Sequence, residues 1–120
     1  MSWFTAKFCA VEEMPDLNTL AVVLSENDAG SGERLEFQRA LSFDESDVKT
    51  GMDTYCLVVS SGAAHYGGVL GWSVKERCLD LALDEAAAEE LGLQQSVQID
   101  LNVGAAGEAA LIAGLQRILL

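Results

Sequence analysis

The sequence predicts an α+β domain: a mainly antiparallel sheet of about six or seven strands, with a C-terminal helix packed on one face and one short helix. Three observations lead there. Apolar residues alternate with polar ones through most of the chain, the period of a half-buried strand. Those stretches are separated by turn-sized gaps, as in hairpins. Helical spacing is concentrated late in the sequence, which separates strands from helices as α+β folds do. With 120 residues, half of them hydrophobic, the chain has material for one core, so residues 1–120 read as a single domain.

Phe4, Ala6, Phe8 and Ala10 alternate with Thr5, Lys7 and Cys9, which predicts a first strand. Residues 11–16 are acidic and include Pro15, so they read as a turn. "LNTLAVVLS" is a second strand, and "ENDAGSGE" a loop in which Gly30 and Gly32 let the chain reverse. Leu35, Phe37 and Leu41 mark a third strand. Arg39 falls on its apolar side, where a guanidinium must be paired or reach solvent. A salt bridge to Asp44, Asp47 or Asp53 is expected. In "SFDESDVKTG", Ser42 and Glu45 fit a capping box and Gly51 a C-terminal cap, predicting one or two helical turns.

"TYCLVVS" is an unbroken apolar run and reads as a central strand covered on both faces. "SGAAHYGG" reads as a turn, and "VLGWSV" and "CLDLAL" as two strands, with Leu79, Leu81 and Leu83 inward. Asp84 caps a short helix, "EAAAEEL", that Gly92 ends. Val97, Ile99 and Leu101 give a last strand. Leu111, Ile112, Leu115, Ile118 and Leu119 make one helical stripe, and Arg117 suits that helix's C-terminal end. The helix covers one sheet face; the other curls on itself or stays partly open, and an open face is a natural partner site.

Charge narrows the function classes. Nineteen acids against seven bases leave a net charge of −12. Nucleic acid and anionic membranes are repelled by such a surface. A basic protein partner is attracted, although the charge also serves plain solubility. Residues 1–8 lack an apolar signal region and no run is long enough for a membrane span, so the expected location is cytoplasmic. Cys9, Cys56 and Cys78 are widely spaced and odd in number, which suggests reduced thiols.

The only histidine, His65, lies in "AHYGG". A nucleophilic dyad with Cys56 or Cys78 is conceivable, but both thiols sit in apolar stretches that lower their reactivity. Zinc needs about four closely spaced ligands, which the spacing does not supply. Counting a calcium loop from Asp44 places Lys49 where glycine belongs and Tyr55 where glutamate belongs. "GSGERLEF" lacks the Lys-Ser/Thr of a phosphate-binding loop. No cofactor, metal or catalytic set is expected, and the chain reads as a binding protein. A small self-assembling structural or adaptor domain and, behind it, a Cys/His enzyme are the alternatives.

The order of "FTAKFCAVE", "LEFQRALSFDESDVKTGMDTYCLVV", "AHYGGV", "LDLAL", "ELGL", "VQIDLN" and "LIAGLQRIL" resembles the bacterial immunity protein 10 family over nearly the whole chain. Within these stretches Gln38-Arg39, Asp47 with Gly51 and Tyr55, and Tyr66-Gly67-Gly68 carry the likeness. The resemblance implies an immunity partner of a polymorphic toxin system, used in competition between bacteria. Such a protein binds and neutralises a cognate toxin domain by covering its active region, here with an acidic surface against a basic partner. The contact residues expected on that reading are Glu12, Glu13, Asp16, Asp44, Glu45, Asp47 and Asp53, with His65 and Tyr66.

Overall fold

A computed structural model describes residues 2–27, 32–42 and 54–119. They form nine strands in two sheets and two α-helices. The α+β class, the mainly antiparallel pairing and the C-terminal helix on a sheet face are as the sequence predicts. The strands, however, divide between two sheets instead of filling one. The predicted helical turns after Ser42 lie outside the described residues, as do Asp44, Glu45, Asp47 and Asp53.

The first predicted strand is two. β1 (Phe4–Ala6) lies parallel to β9 (Ser96–Leu101), with Phe4 opposite Ile99. At Lys7, whose N–H donates to the Ser25 carbonyl, the chain crosses to the other sheet as β2 (Phe8–Met14). The acidic stretch read as a turn is therefore mostly strand, and the turn is a 3-10 helix, Pro15–Leu17, after it. Asn18 ends that turn at a φ of 51°, a left-handed conformation asparagine tolerates.

β2, β3 (Thr19–Ser25), β4 (Arg34–Ala40), β5 (Cys56–Val59) and β6 (Ala64–Tyr66) pair antiparallel in chain order. β5 is second from the edge, so the middle position predicted for it belongs to β4. Its burial alternates, Leu57 and Val59 inside and Cys56 and Val58 half-exposed, which corrects the expectation of two covered faces. "AHY" is the edge strand, not a turn.

Gly67 and Gly68 carry the chain to the second sheet, at φ of 74° and 95°. A Cβ on Gly68 would stand 2.5 Å from the Ala87 Cβ, so only glycine lets the following helix pack there. Tyr55 fixes the crossing: its carbonyl accepts from the Gly67 N–H, and its hydroxyl oxygen accepts from the Val69 N–H. β7 (Val69–Lys75) and β8 (Cys78–Leu83) then form a hairpin through Glu76 and Arg77, both at positive φ, the geometry of a tight two-residue turn. The second sheet has the order β1-β9-β8-β7.

α1 (Glu85–Leu91) starts where Asp84 accepts the Ala87 N–H and ends at left-handed Gly92, as its sequence requires. α2 (Gly104–Ile118) lies across β2, β3 and β4. Its buried residues are Leu111, Gly114, Leu115 and Ile118; Ile112 and Leu119 of the expected stripe are only half-buried. Gly114 rests on the sheet, 2.7 Å from Val22 Cγ2 for any added Cβ. The inner faces of both sheets and the two helices share one core, with Phe37, Leu57, Ile99 and Leu115 fully buried. Among the described residues no helix is long and apolar enough to cross a membrane.

Candidate partner-binding surface

Residues directly opposite in an antiparallel ladder point to the same face. On the inner face of the five-stranded sheet, Val11, Val22, Phe37, Leu57 and His65 make one row across all five strands. One position along, on the outer face, the row is Glu12, Ala21, Gln38, Cys56 and Tyr66. The next outer row is Ala10, Val23, Glu36, Val58 and Ala64. The outer face is thus small and aliphatic, interrupted near its middle by one carboxylate and one amide. The Gln38 amide donates to Glu36 Oε2. Tyr66 is 49% exposed at one margin, and Phe8, 36% exposed, is on this face at the other. A hollow of about 240 Å³ opens beside Tyr66, with Asn18, Gln38, Thr54 and Cys56 among its walls. Among the described residues no helix packs on this face; α2 lies on the inner one.

The expected contact residues do not converge. Glu12 and Tyr66 share an outer row but stand at its two ends. Glu13 has the opposite parity, and its carboxylate lies 3.5 Å from the Arg117 guanidinium, both half-exposed. Asp16 is exposed on the 3-10 turn. His65 belongs to the inner side: its Nδ1 lies 2.6 Å from Glu90 Oε1 on α1, and the side chain is 20% exposed. It ties the edge strand to α1, whose next neighbour is the glycine junction. Arg39, also inward, donates from Nη1 to the Ile118 carbonyl at 3.1 Å. A guanidinium at the C-terminal end of a helix meets partial negative charge, which is one answer to its inward position. The carboxylates expected to pair with it are those outside the described residues.

Glu36, Gln38, Val23 and Val58 were not singled out from the sequence as site residues. Their signal was present in the runs "LAVVL" and "CLVV", where both parities are apolar, and in Gln38 as part of the family likeness.

The conceivable Cys/His pair is separated by the sheet. Cys56 points outward and His65 inward, so the two cannot share a proton across the strand pair. The three cysteines are free thiols. Burial raises the Cys9 thiol above its ordinary pKa. Burial also raises Cys56, opposed by a hydrogen bond from the His65 backbone and reinforced by Glu36 and Glu90. Cys78 is raised by burial and then by Asp80 and Asp100. All three shifts disfavour the nucleophilic thiolate. Among the described residues no group of three or more His, Cys, Asp and Glu is placed to hold a metal ion.

Of the pieces behind the family likeness, Asp47 and Gly51 lie outside the described residues. Gln38 and Tyr66 share the outer row, and Tyr55 holds Gly67 and Val69. No curated protein and no solved structure shows significant similarity to the chain. A family model does: Immunity protein 10 matches residues 5–109. With most of its length matched, the chain belongs to the immunity protein 10 family.

Proposed function

We propose that this protein binds and neutralises a cognate bacterial toxin domain, covering the toxin's active region with an acidic surface. Family membership is the observation that carries the reading, since immunity proteins neutralise toxins in general. The physical chemistry is compatible with it. A net charge of −12 attracts a basic partner, and steering of that kind acts mainly on the association rate. The separated Cys56 and His65 favour inhibition by contact over turnover.

Binding to the toxin domain encoded in the neighbouring reading frame tests this. A stoichiometric complex that abolishes the toxin's activity is expected, with association about tenfold or more slower when salt rises from low to physiological. The candidate contacts Glu12, Glu13 and Asp16, and Asp44, Glu45, Asp47 and Asp53, contribute to that steering. Absence of a complex at either salt would remove the reading. A self-assembling domain is the second reading, favoured by Tyr66 and Phe8 exposed on one sheet face. Light scattering separates them, because a monomer that still binds toxin excludes it.

A further inference from the structure

We infer that the toxin docks on the outer face of the five-stranded sheet, and that Glu36 at its centre receives an arginine or lysine of the toxin. The inference rests on the toxin-binding reading. Glu36 is the one carboxylate in a row otherwise made of Ala10, Val23, Val58 and Ala64. It is half-buried on the middle strand, and its described hydrogen-bond partner is Gln38, a neutral amide. The ion pairs among the described residues are His65–Glu90 and Glu13–Arg117, so no described cation pairs with Glu36. Arg34 shares the strand and the face but makes no salt bridge to it, and its Nε is buried without a partner. Glu36 is flanked across both neighbouring strands by Val23 and Val58, and a partner that seals this apolar surface strengthens the carboxylate's attraction for a cation. Tyr66 at the margin supplies the aromatic contact surface common at such interfaces.

Charge decides the occupant. A second copy of this chain would bring another net −12 and set like charges against each other. Nucleic acid carries the same sign as the face. A basic protein segment, with a cationic side chain flanked by apolar ones, matches both the carboxylate and the valines on either side of it.

The experiment is calorimetric titration of the toxin domain from the neighbouring reading frame into this protein and its variants. Glu36→Lys should weaken binding about 100-fold or more, and Tyr66→Ala about tenfold. Asp100→Lys makes the same charge change on the outer face of the other sheet and should cost less than about threefold. Glu36→Gln keeps the side chain's shape and decides the matter if Glu36→Lys fails to fold; about tenfold weakening is expected. If the wild type binds but Glu36→Lys and Asp100→Lys weaken it equally, or neither weakens it, the docking face is wrong while toxin neutralisation stands. If the wild type does not bind, the functional reading falls and takes the docking face with it. A dimer of the free protein that Glu36→Lys dissociates would assign the face to a second copy and overturn the inference.

Discussion

Outward positions on the four-stranded sheet include Thr5, Ser73, Asp80, Gln98 and Asp100, and the Gln98 amide donates to Asp80 across the strands at 2.9 Å. The corresponding positions on the five-stranded sheet include Ala10, Val23, Val58, Ala64 and Tyr66. Both sheets bury their inner faces in the same core, so the difference does not come from the fold. Ordinary solvated sheets alternate apolar and polar residues. The four-stranded sheet follows that rule over β8 and β9, while on β7 Leu70 is 72% exposed. The five-stranded sheet departs from the rule over several strands, and that departure is what motivates the proposed docking face.

The contrast can be broken by stability measurements. Phe37→Ala, on the inner face at the middle strand, should cost about 3–5 kcal/mol, read from chemical denaturation. Val58→Ala, on the outer face beside Glu36, should cost under about 1 kcal/mol in the free protein, because its side chain is only half-buried. Equal losses would mean that the outer face is packed in the free state and is not available to a partner.

A smaller effect is expected at Gly114. An added Cβ there meets Val22, which has no exposed surface and nowhere to move. Gly114→Ala should destabilise by about 1–3 kcal/mol despite alanine's better helix propensity. A stabilised variant would show that α2 is loosely seated, and would weaken the distinction between a covered inner face and an open outer one.

The smallest effect concerns the thiols, one of which, Cys56, lies on the apolar outer face and another, Cys78, on the polar one. Burial raises both in the folded state. The folded pKa therefore lies above the unfolded value of about 8.5. The associated stability is fully present below that pH and is lost as pH rises through the folded pKa. A melting temperature that falls above about pH 8.5, and falls less in a variant with Cys9, Cys56 and Cys78 replaced by serine, is the expected result. Identical alkaline profiles would mean that burial does not hold these thiols neutral.

The same apolar outer face explains where sequence reading succeeded and failed. Asp84, Gly92 and the Val97-Ile99-Leu101 alternation announced α1 and β9 because each signal is local: a cap, a left-handed glycine, a period of two. The break at Lys7 was hidden. Phe4 and Ala6 point into the core from one sheet, whereas Phe8 and Ala10 point outward from the other. All four are apolar, so the change of face left no mark on the pattern. "CLVV" likewise reads as doubly covered because an apolar face left half-exposed and an apolar face under a helix have the same composition. His65 has no catalytic partner at short spacing in the sequence, and its attachment to Glu90 depends on a helix that arrives later in the chain.

The parallel pairing of β1 with β9 has a consequence for how the protein is made. β2 through β6 join each to its successor and can assemble as they leave the ribosome. Phe4 must instead wait until Ile99 has been synthesised before its ladder exists. Until then the opening strand and its two core side chains have no place in the nascent molecule. Closure of the four-stranded sheet is thus a late, long-range event, of the kind that slows maturation.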